Sequence, residues 1–135
     1  MTQPTGGYRD RFDYRIDILA RRNLVTARTS SGQPIARTER PLVIDEQDHG
    51  LVVYFPEADV DLAALAPSDH VTTCPYKGQA THWRLADGID PVAWTYRQPH
   101  PEVARLAGHI AFYQDRVSVE LGAAPRAVTG RPPTT

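Results

Sequence analysis

Short runs in which apolar and polar residues alternate dominate this chain. The run Tyr14-Arg15-Ile16-Asp17-Ile18 is typical, because every second side chain is apolar, as in a strand with one buried face. Turn-forming residues such as Ser30-Ser31-Gly32 and Asp48-His49-Gly50 separate consecutive runs. The β-rich runs are residues 14–18, 24–28, 34–38, 42–44, 51–55, 71–73, 80–85, 92–96, 110–113 and 117–121.

Helical signals are few. Residues 59–66 have leucines three apart, an aspartate that can cap the first turn, and a proline just after them, which together predict one short helix. Residues 114–116 predict a hairpin turn between the last two strands. The pattern therefore predicts a mainly β domain of about eight or nine short antiparallel strands. We expect two packed sheets or a partly open barrel, with one short helix near 59–66.

Composition predicts the boundaries of this domain and its cellular location. Residues 1–7 and 123–135 are small, polar or proline-rich, so we expect two disordered tails around a single β-rich domain at 8–122. The chain has 135 residues, 41% of them hydrophobic, which is enough for one core. One cysteine excludes an internal disulfide, and no signal peptide or apolar run of membrane-spanning length is visible. We expect a cytoplasmic protein without a membrane partner.

The chain carries almost no net charge. Its 15 basic and 16 acidic side chains nearly cancel, so no overall field draws it onto a polyanion. This balance argues against nucleic acid as a partner.

The most reactive stretch is the predicted turn Cys74-Pro75-Tyr76-Lys77-Gly78, which is followed closely by His82 and Trp83. It brings the single cysteine, a lysine, a tyrosine and a histidine–tryptophan pair within ten residues. Two later blocks accompany it: Trp94-Thr95-Tyr96 with a proline at position 99, and Gly108-His109-Ile110-Ala111-Phe112-Tyr113.

In these three ordered blocks the sequence resembles an uncharacterised domain-of-unknown-function family that carries the provisional label "nucleotidyltransferase domain". The resemblance spans roughly residues 14–121. It implies a small, β-rich domain that usually stands alone, and it brings no established reaction or cofactor.

The residues around the turn predict a ligand pocket. Tyr76, Lys77 and Gly78 are the candidate binding residues at the turn, since an ammonium supplies charge and a glycine allows close backbone approach. The aromatic side chains of Trp83 and Trp94 are candidate walls. Cys74 and His82 are the candidate catalytic residues, with Lys77 as an electrostatic stabiliser.

Structural interpretations compete with each of these roles. Cys74 can be a buried, unreactive side chain, and several of the aromatic residues, which include Tyr96, Phe112 and Tyr113, can belong to the core. A zinc site made of His70, Cys74 and His82 lacks the paired cysteines that make such assignments strong, so we assign no metal site. Asp59 and Asp61 have a spacing that could hold Mg²⁺ for nucleotidyl transfer, but at a helix start they serve as caps.

We therefore expect the domain to bind a small polar or anionic ligand around the turn. The alternative is a non-catalytic module that forms a homodimer or holds a protein partner through exposed strand edges, with the turn as a structural corner. Nucleotidyl transfer, as the family label suggests, ranks third. The sequence leaves open whether the domain is an enzyme.

Overall fold

The computed structural model describes residues 14–122. The predicted tails at 1–7 and 123–135 lie outside the described residues, as do residues 8–13 of the predicted domain. Among the described residues, none of the helical segments has the length and apolarity to cross a membrane.

Ten strands form two antiparallel sheets within residues 14–122. The larger sheet has seven strands in the order β1-β4-β5-β9-β8-β7-β6, and the smaller has three in the order β10-β2-β3. The strands are β1 (Ile16–Ala20), β2 (Val25–Arg28), β3 (Pro34–Thr38), β4 (Leu42–Glu46), β5 (Val52–Pro56), β6 (Leu65–Cys74), β7 (Gly78–Leu85), β8 (Pro91–Thr95), β9 (His109–Phe112) and β10 (Ser118–Leu121). The predicted mainly β class with two packed sheets is confirmed, and the sheets do not close into a barrel.

The segment predicted as a helix near 59–66 is formed as two 3-10 turns, Glu57–Asp59 and Leu62–Ala64. Strand pairing on both sides prevents one longer helix, because Val60 bridges to Ala36 and Leu65 already pairs with Leu85. The predicted cap is present, since the Asp61 side chain accepts a hydrogen bond from the backbone amide of Ala63 at 3.2 Å. A third 3-10 segment covers Pro101–Leu106.

The predicted hairpin about residues 114–116 is wrong. Strand β9 pairs with β5 and β8 on its two sides, so no edge remains for β10, which pairs with β2 in the other sheet. The amides of Arg116 and Val117 both donate to the carbonyl of Tyr113 at 2.9 Å. This turn directs the fully buried Val117 side chain into the core and carries the chain from one sheet to the other.

The two faces of the large sheet bury different cores. One face packs against the small sheet, where Phe55 and Phe112 meet edge to face at 5.4 Å between ring centroids. The opposite face carries a second cluster that includes Tyr54, Tyr96 and Leu106 of the last 3-10 segment. This second face is the one that holds the candidate site.

Register partners that lie opposite each other point to the same face, and one row of them crosses the sheet. From β4 to β6 the row is Leu42, Tyr54, Ala111, Trp94, His82 and Ser68.

Candidate functional site

The candidate site begins at the tight turn between β6 and β7. The amide of Lys77 donates to the carbonyl of Cys74 at 3.3 Å, and the carbonyl of Lys77 accepts from the amide of His100 at 2.9 Å. Gly78 follows with a φ of +121°, and a Cβ at this position would lie 3.4 Å from the carbonyl oxygen of Gln98. The positive φ favours a glycine here, whereas a Cβ would make only ordinary contact with the neighbouring segment.

The turn reaches a distant part of the same sheet. In a flat sheet, Gly78 would lie four strand spacings and eight residue rises from Glu46, or roughly 30 Å away. In the structure, the ammonium of Lys77 donates directly to the Oε1 atom of Glu46. Twist between neighbouring strands, together with register shifts in the β6–β7 and β7–β8 pairs, curls the hairpin over the second face of the sheet.

Lys77 and Glu46 form a buried ion pair, with side chains that are 10% and 9% exposed. The hydroxyl of Tyr14 donates to the other carboxylate oxygen of Glu46, and the Nε2 atom of His49 lies 3.7 Å from that same oxygen. The Sγ atom of Cys74 lies 3.9 Å from the Lys77 nitrogen. Polar groups of Lys77, Tyr14 and His49 therefore converge on one carboxylate.

A cavity of about 350 Å³ opens beside this ion pair. Its walls are largely aromatic: Tyr14 stacks on Tyr76 with ring centroids 3.7 Å apart, and the indole N–H of Trp94 donates to the Tyr54 hydroxyl at 3.2 Å. The lining residues are Tyr14, Ile44, Glu46, His49, Gly50, Val52, Tyr54, Cys74, Pro75, Tyr76, Lys77, Trp94 and Tyr96.

Three of the lining tyrosines resist ionisation. Burial, followed by the hydrogen bond to Glu46, raises the pKa of Tyr14. Burial is also the main cause that raises the pKa of Tyr54, and burial followed by the neighbouring Tyr54 raises the pKa of Tyr96. At physiological pH these phenols are neutral hydrogen-bonding groups, so they offer a ligand donors and acceptors rather than bases.

The cavity collects most of the residues that the sequence predicted for the site. Cys74, Tyr76, Lys77 and Trp94 all line it, and Gly78 completes the turn below them. Tyr96, a candidate wall residue, also lines it, whereas Phe112 lies in the core between the sheets.

Trp83 and His82 do not join this cavity. Trp83 pairs with Ala93 and packs against the core between the two sheets, on the opposite face from the cavity. His82 lies four residues along β7 from Gly78, the register partner of Cys74, which is about 13 Å of strand. The strand register therefore keeps His82, the second candidate catalytic residue, away from Cys74.

His82 belongs to a second aromatic cluster beyond Trp94. Its Nε2 atom lies 3.0 Å from the hydroxyl of Tyr113, and its ring meets that of His70 at 4.6 Å between centroids. The Nδ1 atom is buried without a hydrogen-bond partner among the described residues. Burial, followed by the nearby His70, lowers the pKa of His82, so its ring is neutral.

The structure also shows where the candidate zinc and magnesium ligands from the sequence lie. Among the described residues, no group of three or more histidine, cysteine, aspartate or glutamate side chains is arranged to hold a metal ion. His70 lies beside His82 rather than Cys74. Asp59 accepts a hydrogen bond from the Thr38 hydroxyl at 2.7 Å, while Asp61 caps the second 3-10 turn.

Sequence reasoning missed Glu46, Tyr14 and Tyr54 as residues of the site. For Glu46 a signal was available, because Leu42, Ile44 and Glu46 alternate along β4 on one face, which places an acid at an inward position. Nothing in the sequence indicated that Lys77 would be its partner, since the two are 31 residues apart.

Comparison with models of known protein families gives a match over residues 17–122. The matching family is described as "Domain of unknown function (DUF427)". The match contains every cavity residue except Tyr14, which precedes it. No curated protein matches the chain.

The buried ion pair should show strong energetic coupling. Lys77→Met or Glu46→Leu alone leaves a buried charge without its main partner, so each should lower the free energy of unfolding by about 3 kcal/mol. The double variant should lose clearly less than the sum of the two, with a coupling energy of about 1–3 kcal/mol. Urea denaturation of the four proteins measures this cycle.

The matched control is the exposed pair of Arg28 and Glu120, whose atoms are 3.2 Å apart with side chains 42% and 64% exposed. A cycle with Arg28→Met and Glu120→Leu should give less than about 1 kcal/mol of coupling. Equal coupling in the two cycles would contradict the buried character of the Lys77–Glu46 pair.

The lowered pKa of His82 makes stability depend on pH in a defined direction. The unfolded chain takes up a proton near the ordinary histidine pKa of about 6.5, whereas the native ring resists it. The contribution of this group is therefore complete above about pH 6.5 and declines as the pH falls toward the lower native value. His82→Gln should flatten this part of the stability profile in urea titrations between about pH 8 and pH 5. Parallel profiles for wild type and His82→Gln would refute the prediction.

Proposed function

The chain belongs to this family of unknown function, and we propose from the geometry of the cavity that it is a small-molecule binding domain. The ligand is a small polar or anionic molecule that enters beside the Cys74–Lys77 turn. Lys77 and Glu46 provide the polar contacts, and the aromatic walls enclose the rest.

The observation that supports this proposal is the buried Lys77–Glu46 ion pair at the cavity. Removing two charges from water costs several kcal/mol for each ion, and an apolar pair of similar size is often at least as stable. The pair is thus a poor means of stabilising the fold. It is a good means of presenting fixed hydrogen-bonding groups to a ligand inside a largely apolar site.

The cavity also has the size and composition of a ligand site. Its volume of about 350 Å³ lies at the lower end of the range for small-molecule pockets. Tyr54, Tyr76, Trp94 and Tyr96 offer ring faces and hydroxyl or indole groups. Such walls suit a flat ligand, because aromatic side chains bury a large area with few rotatable bonds.

The proposal concerns binding. It also specifies which residues would act if the domain catalyses a reaction of its ligand. Cys74 is then the nucleophile, since its sulfur lines the cavity 3.9 Å from the Lys77 nitrogen. Lys77 would stabilise negative charge that develops on the substrate. His82 takes no part in this version, because it lies in the second cluster with Tyr113.

One observation favours the alternative function of a homodimeric module. Strand β6 is an outer strand of the large sheet, and its residues Val71, Thr72 and Thr73 are all exposed. An outer strand with β-branched residues and no charge over this stretch can pair with the same strand of a second molecule. The nucleotidyl-transfer reading ranks third, since Asp59 and Asp61 are engaged with Thr38 and the Ala63 amide.

Filling part of the cavity should weaken ligand binding. Val52 lines the cavity on β5, so Val52→Phe should occupy part of the space and weaken binding at least tenfold. Lys77→Met should weaken binding to a similar degree by removing the donor. Ligand-observed NMR against a library of small polar and anionic ring compounds, followed by calorimetry on the hits, measures this effect.

Val71→Phe is the control for an added aromatic side chain, because Val71 is 51% exposed and does not line the cavity. It should bind every hit as the wild type does. The proposal fails if the library yields no ligand, or if the hits bind Val52→Phe as tightly as they bind the wild type.

The homodimer alternative makes a separate prediction about β6. If the module dimerises through this edge, sedimentation equilibrium should show a dimer, and the double variant Val71→Lys with Thr73→Lys should be monomeric because like charges would meet across the new pair. A wild-type protein that stays monomeric up to about 1 mM, where even contacts worth only about 4 kcal/mol become populated, would exclude this alternative.

A further inference from the structure

We propose that the cavity binds an uncharged, flat heteroaromatic ring that carries an amide group, rather than an anion; this inference rests on the proposed function. The amide carbonyl accepts from Lys77, the amide N–H donates to Glu46, and the ring lies among the aromatic walls.

The charge balance at the site disfavours an anion. The ammonium of Lys77 and the carboxylate of Glu46 are in direct contact, so the two formal charges cancel. An anion that approached Lys77 would also come within a few ångströms of Glu46 and the repulsion would offset the attraction. It would also lose its hydration without gaining a full counter-charge. A neutral dipolar group pays neither cost.

The hydrogen-bonding capacity that remains matches the edge of an amide. An ammonium has three N–H donors, and the described residues use one of them on Glu46, with a weak contact to the sulfur of Cys74. A carboxylate has about four acceptor positions; Lys77 and Tyr14 occupy two of them, and His49 lies 3.7 Å from the oxygen that accepts from Tyr14. Within residues 14–122, Lys77 therefore keeps an unused donor and its partner Glu46 an unused acceptor, which together complement the adjacent C=O and N–H groups of an amide.

The aromatic side chains that line the cavity are the reason for proposing an aromatic ring in the ligand. Trp94 meets Tyr54 edge to face with ring centroids 6.2 Å apart, and Tyr76 is stacked on Tyr14 at another wall. These rings bring extended apolar surface close to the ion pair, so a flat aromatic ligand gains stacking contacts while its amide reaches the polar groups. The volume of about 350 Å³ suits a ligand of one or two rings.

Matched pairs of probes that differ in the amide alone test this inference. Nicotinamide and nicotinate share one ring, as do pyrazine-2-carboxamide and pyrazine-2-carboxylate, and in each pair an amide is exchanged for a carboxylate. We expect the wild-type protein to bind each amide at least tenfold more tightly than its acid, as measured by saturation-transfer NMR and calorimetry up to about 10 mM of probe.

Removing the negative charge of Glu46 should shift the ligand preference from the amides toward the acids. Glu46→Gln removes the carboxylate and leaves Lys77 as an uncompensated cation at the cavity. This variant should lose affinity for the amides and gain affinity for the acids, so that the ratio between the two shifts at least tenfold. Glu120→Gln, which removes an exposed carboxylate in the small sheet, should leave the ratio unchanged. Circular dichroism of each variant establishes that it is folded before binding is measured.

The outcomes separate this inference from the proposed function. Equal or tighter binding of the acids by the wild type would overturn the amide inference, and so would a failure of both amides to bind at about 10 mM. A Glu46→Gln variant with an unchanged ratio would overturn it as well. In any of these cases the binding function itself would stand as long as other library ligands bind and Val52→Phe excludes them.

Discussion

The contact between Lys77 and Glu46 is the interaction on which the rest of the site depends. It joins the hairpin turn at one edge of the large sheet to the last residue of β4, which lies next to the strand at the opposite edge. Both side chains are almost completely excluded from water, and the pair forms because the sheet curls far enough to bring them together. The aromatic rings around it supply that exclusion, so the curl of the sheet, the cavity and the ion pair are mutually dependent.

The two faces of the large sheet differ in what covers them. The face toward the small sheet holds a conventional apolar core, with Phe55 and Phe112 fully buried in it. The opposite face has no second sheet above it in the described part of the chain, and its own β6–β7 hairpin and the Pro101–Leu106 segment cover it instead. The cavity is the space that this cover leaves.

Local patterns in the sequence were sufficient to predict where the strands lie and insufficient to predict which strands pair with each other. The β-rich run 34–38 predicted a strand at the bounds that β3 has, and the neighbouring strands begin or end within a few residues of their predicted runs. The hairpin about 114–116 failed because the pattern that marks a turn carries no information about which sheet the next strand joins. The helical signal at 59–66 gave way to turns because Val60 and Leu65 are held extended by partners elsewhere in the chain.

The sequence by itself determined the mainly β class, the family and the turn around which the cavity forms, because each of these is encoded in contiguous residues. It also placed Cys74, Tyr76 and Lys77 together, since a tight turn holds them within a few ångströms of one another. Only the tertiary structure decided that Glu46 completes the site and that His82 stands apart from it. Twist and bulges accumulate over several strands, so whether two distant residues meet is a property of the whole curled sheet and of no single segment.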